Sequence, residues 1–107
     1  MISAFSPRHL SIAQFCVEEL RIPDGVDIII TECCLKKDNA LGWTYDIHDN
    51  EIDVELEETL DDKEQLLTLC HEMVHVRQAA RGDEAFCEKE AEFLEEILAA
   101  KYKERYE

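Results

Sequence analysis

The sequence predicts an α+β domain in the order helix, three strands, helix, helix. Three observations carry this. Residues 26–34, 42–48 and 51–57 are β-branched or alternate in polarity. Residues 62–105 keep a helical period apart from one break at Gly82. The 107 residues match a single domain, with no repeat, low-complexity tract or linker to divide residues 1–107.

In residues 8–20 (RHLSIAQFCVEEL), Leu10, Ile12, Ala13, Cys16, Val17 and Leu20 fall near helical spacing. Pro7 suits the start of that helix, and Pro23, Asp24 and Gly25 turn the chain. VDIIITECC at 26–34 favours a strand, and KKDNALG is a turn. GWTYDIH at 42–48 reads as a second strand, with Trp43 as a core anchor, and Asp49-Asn50 as a short turn. In EIDVELE at 51–57, Ile52, Val54 and Leu56 share one face and the acids the other, the pattern of a half-buried strand. The connections are too short for parallel crossovers, so a three-stranded antiparallel meander is expected.

Thr59 or Asp61 is a plausible N-cap for a helix over 62–80, with acidic residues beside the helix dipole. Leu66, Leu67, Leu69, Cys70, Met73, Val74 and Val76 make it apolar over much of its circumference, so it is expected at the centre of the fold. Gly82 ends it. A last helix is expected over 83–105, with a stripe of Phe86, Cys87, Ala91, Leu94, Leu98 and Tyr102.

Composition narrows the partners. With 46% hydrophobic and 35% charged residues the chain is globular, and 26 acidic against 11 basic residues give a net charge of −15. That surface repels nucleic-acid phosphate and anionic lipid, so neither nucleic acid nor membrane is an expected partner. A basic peptide or protein fits the charge, although high solubility is the commoner reason for it. No apolar run approaches a membrane span, and MISAFSPRHLSIAQFC lacks the apolar stretch of a signal peptide, so a cytoplasmic location is expected. The cysteines, Cys16, Cys33, Cys34, Cys70 and Cys87, are odd in number and lack CxxC spacing; reduced thiols are expected. A core this small gains from a metal that binds only the folded state.

Residues 71–75 read His-Glu-Met-Val-His, an HExxH pattern. On a helix, His71 and His75 lie one turn apart on the same face, where both imidazoles reach one Zn²⁺. Glu72, beside the first ligand, is placed to take a proton from a metal-activated water and pass it on. Two histidines and a glutamate in an apolar segment are costly to bury unless something satisfies them, and zinc is the simplest partner. A third ligand should come from the last helix. A helical hairpin turning near Arg81-Gly82-Asp83 sets Glu88 at the depth of His75. Glu84 falls too near the turn and Glu95 beyond the metal, whereas Glu92 shares the face of Glu88 as a second candidate or a supporting group. Cys70 and Cys87 are expected to pack behind the metal, and Gln78 either supports His75 or is polar surface.

The stretches LLTLCHEMVHVRQAARG and CEKEAEFLEE resemble the small HExxH metallopeptidases known as minimal zincins or minigluzincins, and are similar to small phage-encoded proteins assigned as metallopeptidases. In the wider gluzincin-like group the third ligand opens a Glu-x-x-Ala-Asp/Asn pattern. Glu88-Lys89-Glu90-Ala91-Glu92 matches it with Glu at the last position. The resemblance covers about residues 50–100. It implies a zincin-like fold, Zn²⁺ on His71, His75 and Glu88, Glu72 as general base, and peptide or protein substrates. It also implies a strand beside the active-site helix, 51–57 or 42–48, whose exposed edge pairs with an extended substrate. The chain departs from the group in its short connection from His75 to Glu88 and in lacking an assigned transition-state stabiliser. His48, Tyr45, Arg77 and Tyr102 are candidates on chemistry alone. Two functions are therefore expected: a zinc metallopeptidase, or a zinc-stabilised binding or regulatory module without peptidase activity.

Overall fold

The computed structural model describes residues 1–107. Helix α1 (Pro7–Leu20) begins where Ser6 caps it, its hydroxyl accepting from the His9 amide, with Pro7 in the first turn where no amide is needed. Helix α2 (Asp62–Arg81) starts from a capping box. The Asp61 side chain accepts from the Glu64 amide, and the Glu64 carboxylate takes the Asp61 amide in return. It ends at Gly82, whose φ of 82° is left-handed backbone that glycine adopts without strain.

The last helix, α3 (Glu88–Tyr106), begins five residues later than the expected 83. The buried Gln78 side chain explains the delay. Its Oε1 accepts from the Cys87 amide and its Nε2 donates to the Cys87 carbonyl, both at 3.0 Å, so 83–87 is held as a loop and the helix starts only at Glu88. Phe86 and Cys87, expected on the helical stripe, belong to that loop.

Strands β1 (Ile2–Ala4), β2 (Asp27–Cys33), β3 (Gly42–His48) and β4 (Glu51–Glu57) form one mixed sheet in the order β1-β2-β4-β3. The α+β class is as expected, but the antiparallel meander of three strands is not. β3 and β4 form the expected antiparallel hairpin, turned by Asp49 and Asn50 in left-handed conformation. β4 then lies parallel to β2, from Asp27 opposite Glu51 to Cys33 opposite Glu57. No crossover helix is needed, because β3, at the sheet edge beyond β4, runs antiparallel and returns the chain to the start of β4. Burial decides the order. The helix-facing residues of β4, Ile52, Val54 and Leu56, are fully apolar, whereas those of β3 are Gly42, Thr44 and Asp46, a set that suits a sheet edge. β1 went unanticipated. Three residues carry too little pattern to announce a strand, and its parallel pairing with β2 depends on α1 folding back across the sheet.

Ile28 and Ile30 of β2 and Ile52, Val54 and Leu56 of β4 form one core with Ile12, Ala13 and Cys16 of α1 and Leu66, Leu69, Met73 and Val76 of α2. Each such aliphatic side chain stabilises the fold by roughly 1.5–3 kcal/mol before conformational entropy is counted. α3 packs mainly on α2 and joins the core through Ala91, Leu98, Ala99 and Tyr102. All five thiols are free. Cys16 and Cys70 are fully buried with their sulfurs 3.9 Å apart, Cys34 lies just past β2, and Cys87 is exposed rather than packed behind the histidines. Trp43 is also no core anchor; it stands 36% exposed. No helix is long and apolar enough to cross a membrane.

Candidate metal centre

His71 and His75 project from the same face of α2, with ring centroids 4.9 Å apart and planes nearly perpendicular. Glu88, the first residue of α3, lays its carboxylate across both: Oε1 lies 2.9 Å from His71 Nε2 and Oε2 lies 2.9 Å from His75 Nε2. One donor atom from each of the three side chains lies within 4.8 Å of the others. The helix N-terminus favours a carboxylate at that position.

Hydrogen-bond bookkeeping shows that this set suits a cation. Gln78 Oε1 is the acceptor side of the amide, because Nε2 donates to the Cys87 carbonyl and to Glu90. His75 Nδ1 therefore donates to Gln78 Oε1 at 2.9 Å. A neutral imidazole then turns its bare Nε2 at a carboxylate oxygen. His71 is similarly flanked, with Glu88 at Nε2 and Glu95 Oε1 3.5 Å from Nδ1. His71 can donate from Nε2 to Glu88 as a neutral imidazole, but His75 Nε2 and Glu88 Oε2 need one further proton between them or a cation that both can ligate. Two imidazoles and a carboxylate are a donor set that zinc takes. Burial works against the charged form of His71, but Glu88, Glu72 and Glu95 outweigh it and hold its pKa above the usual imidazole value.

Glu72 is buried beside the cluster. Its Oε1 accepts a 2.7 Å hydrogen bond from the Thr44 hydroxyl of β3, which leaves Oε2 uncommitted. Burial pushes its carboxyl above the usual range, while Thr44 and the two imidazoles pull the other way. β3 comes so close to α2 here that a Cβ on Gly42 would sit 3.0 Å from both Glu72 Oε2 and Thr68 Cγ2. Two open cavities meet at Gly42 and Glu72. One, of about 300 Å³, is walled by Leu41, Leu67, Thr68 and Glu95; the other, of about 290 Å³, by Trp43, Thr44, Phe86 and Glu88. The Phe86 ring stacks on His75 with centroids 4.9 Å apart and closes the loop side.

No family model, curated protein or solved structure matches this chain. The likeness to zincins therefore stands on the quoted residues alone.

The three residues expected as ligands come together, and Glu72 lies against them. Glu92 is exposed and takes no part. Glu95, expected to fall beyond the metal, lies outside the three-residue cluster, with its Oε1 3.5 Å from Nδ1 of His71. The four stabiliser candidates are engaged elsewhere. Tyr102 bonds Ser11 in the core, Arg77 pairs with Glu90, Tyr45 lies against Glu55, and His48 pairs with Asp49 at the hairpin turn. Thr44 and Gly42 were missed as site residues. Their signal, two small residues on the helix-facing side of an otherwise bulky strand, is visible only once β3 is known to cross α2.

Proposed function

We propose that this chain is a metal-dependent hydrolase acting on peptide bonds, with zinc held by His71, His75 and Glu88. The observation that carries the reading is the convergence of both imidazoles on the Glu88 carboxylate beside a buried glutamate with one free oxygen. Zinc, when bound, supplies a Lewis acid that polarises a carbonyl and lowers the pKa of a water. Glu72 Oε2 takes the proton that a water loses as it adds to the carbonyl carbon, and returns it to the amide nitrogen as the C–N bond breaks. Thr44 keeps the carboxylate from rotating away. Of the two strands the resemblance offered for substrate pairing, β4 is enclosed between β2 and β3, whereas β3 keeps one free edge beside the groove. An extended peptide added to that edge passes over Gly42 and Glu72.

A second reading, a metal-stabilised binding or regulatory module, is favoured by one observation: Tyr45, His48, Arg77 and Tyr102 all have partners away from the cluster. Metal content by elemental analysis and cleavage of a peptide library separate the two. About one zinc per chain is expected in the wild type and in Glu72→Gln, and much less in His71→Ala and Glu88→Ala. Cleavage by the wild type that Glu72→Gln loses establishes the hydrolase. Metal without cleavage of any peptide establishes the module, and no uptake of zinc overturns both.

A further inference from the structure

The helices cover only one face of the sheet. On the opposite face Thr31, Trp43 and Tyr45 are exposed, while Glu51, Asp53 and Glu55 form a half-buried column along β4. Trp43 sits opposite Glu55 and Tyr45 opposite Asp53 in the hairpin, and the two rings meet edge to face at 6.1 Å. An aromatic column thus borders an acidic one.

The acidic column lacks compensation. No strand contains a Lys or Arg, and none of the three carboxylates has a salt-bridge partner. At its ends, His48 lies opposite Glu51 in the hairpin and pairs with Asp49, and the amino group of Met1 lies on Asp27. Oδ1 of Asp53 is shielded from solvent and has no hydrogen-bond partner in the chain. Burial and the neighbouring Asp53 push the Glu51 carboxyl up, and burial together with Glu55 does the same to the Tyr45 hydroxyl. Stacking like charges beside exposed rings is unfavourable for an isolated sheet, and a cation relieves it.

We propose that this face docks a cationic polypeptide segment, whose Lys or Arg side chains sit over Glu51, Asp53 and Glu55 and against the rings of Trp43 and Tyr45. Alternate residues of a strand are about 6.8 Å apart, so an extended segment with a basic residue at every second position matches the column. The charge argues against other occupants. A second copy brings the same acidic column, and lipid or nucleic-acid phosphate is repelled. Trp43 also borders the groove beside the proposed metal centre, whereas Tyr45 and the acidic column line neither cavity there, and the docking does not require the metal.

Trp43 is the chain's single tryptophan, so its emission reports on this face directly. The probes are the capped peptides (Arg-Thr)₄ and (Gln-Thr)₄, titrated at low salt. The arginine peptide is expected to change the emission saturably at one per chain, and the glutamine peptide to leave it unchanged. In Asp53→Asn/Glu55→Gln the apparent affinity should fall at least tenfold. In Glu96→Gln/Glu104→Gln, which removes the same charge from exposed positions of α3, it should fall less than twofold. Equal weakening in both variants overturns the proposal in favour of diffuse attraction to a net charge of −15. Full binding by the first variant overturns it too, by assigning the peptide to the groove that Trp43 also borders. No saturable change in the wild type overturns it outright. Should the double variant fail to fold, Glu55→Gln alone carries the same comparison.

Discussion

Gln78 shows how much one side chain can organise. It is fully buried, accepts from His75 Nδ1 and the Cys87 amide, and donates to the Cys87 carbonyl and Glu90. One amide therefore orients the second histidine and sets where α3 begins, which in turn places Glu88. Gln78→Leu keeps the volume but strands these partners without hydrogen bonds. Each buried group left unpaired costs about 1–3 kcal/mol, so a loss of roughly 2–5 kcal/mol is expected by urea unfolding. Zinc affinity should fall about 10–100-fold in chelator competition, the usual cost of losing a group that holds a metal-ligating histidine. A loss of stability with unchanged zinc affinity would reduce Gln78 to a structural role. The sequence presented Gln78 only as a choice between support and surface. Its burial arises from the loop that returns to it, and local spacing does not encode that return.

Between elements, the decisive contact is β3 against α2. The strand reaches the helix at Gly42, and the space a side chain would fill there is taken by Glu72 and Thr68. Gly42→Ala must push one of them aside. Glu72 is the more mobile end, so its hydrogen bond to Thr44 is expected to be the casualty. On the proposed function, peptide cleavage should fall at least tenfold with zinc content unchanged, because Glu72 is not among the three side chains that could hold the metal. Retention of full activity would show that β3 yields instead. The hairpin was legible from the alternation of 51–57 and the Asp49-Asn50 turn. The pairing of β4 with β2 was not, since it depends on which strand offers the more apolar inner face to the helices.

For the whole molecule, charge sets the pH response. Glu57 is buried where the Thr59 hydroxyl, together with the amides of Leu35, Lys36 and Thr59, holds its carboxylate and lowers its pKa to about 2. A carboxyl whose pKa falls on folding stabilises the fold above its unfolded value of 4.5, and that contribution is lost as pH drops from 4.5 towards 2. Thr59→Val removes the largest cause of the shift. Its unfolding free energy should therefore fall less steeply than the wild type's across that interval in a pH series of urea titrations. Equal slopes would mean that other carboxylates dominate acid unfolding.

By itself the sequence determined the α+β class, the hairpin, the central helix and the two histidines with Glu72, because these follow from spacing along a strand or around a helical turn. Glu88 was also within reach, since a short connection leaves few acids at the depth of His75. The parallel place of β4, strand β1, the late start of α3 and the parts played by Gln78, Thr44, Gly42 and Glu95 were decided only in the tertiary structure. Each depends on residues far apart in the chain competing for the same buried space, and no local pattern records the outcome of that competition.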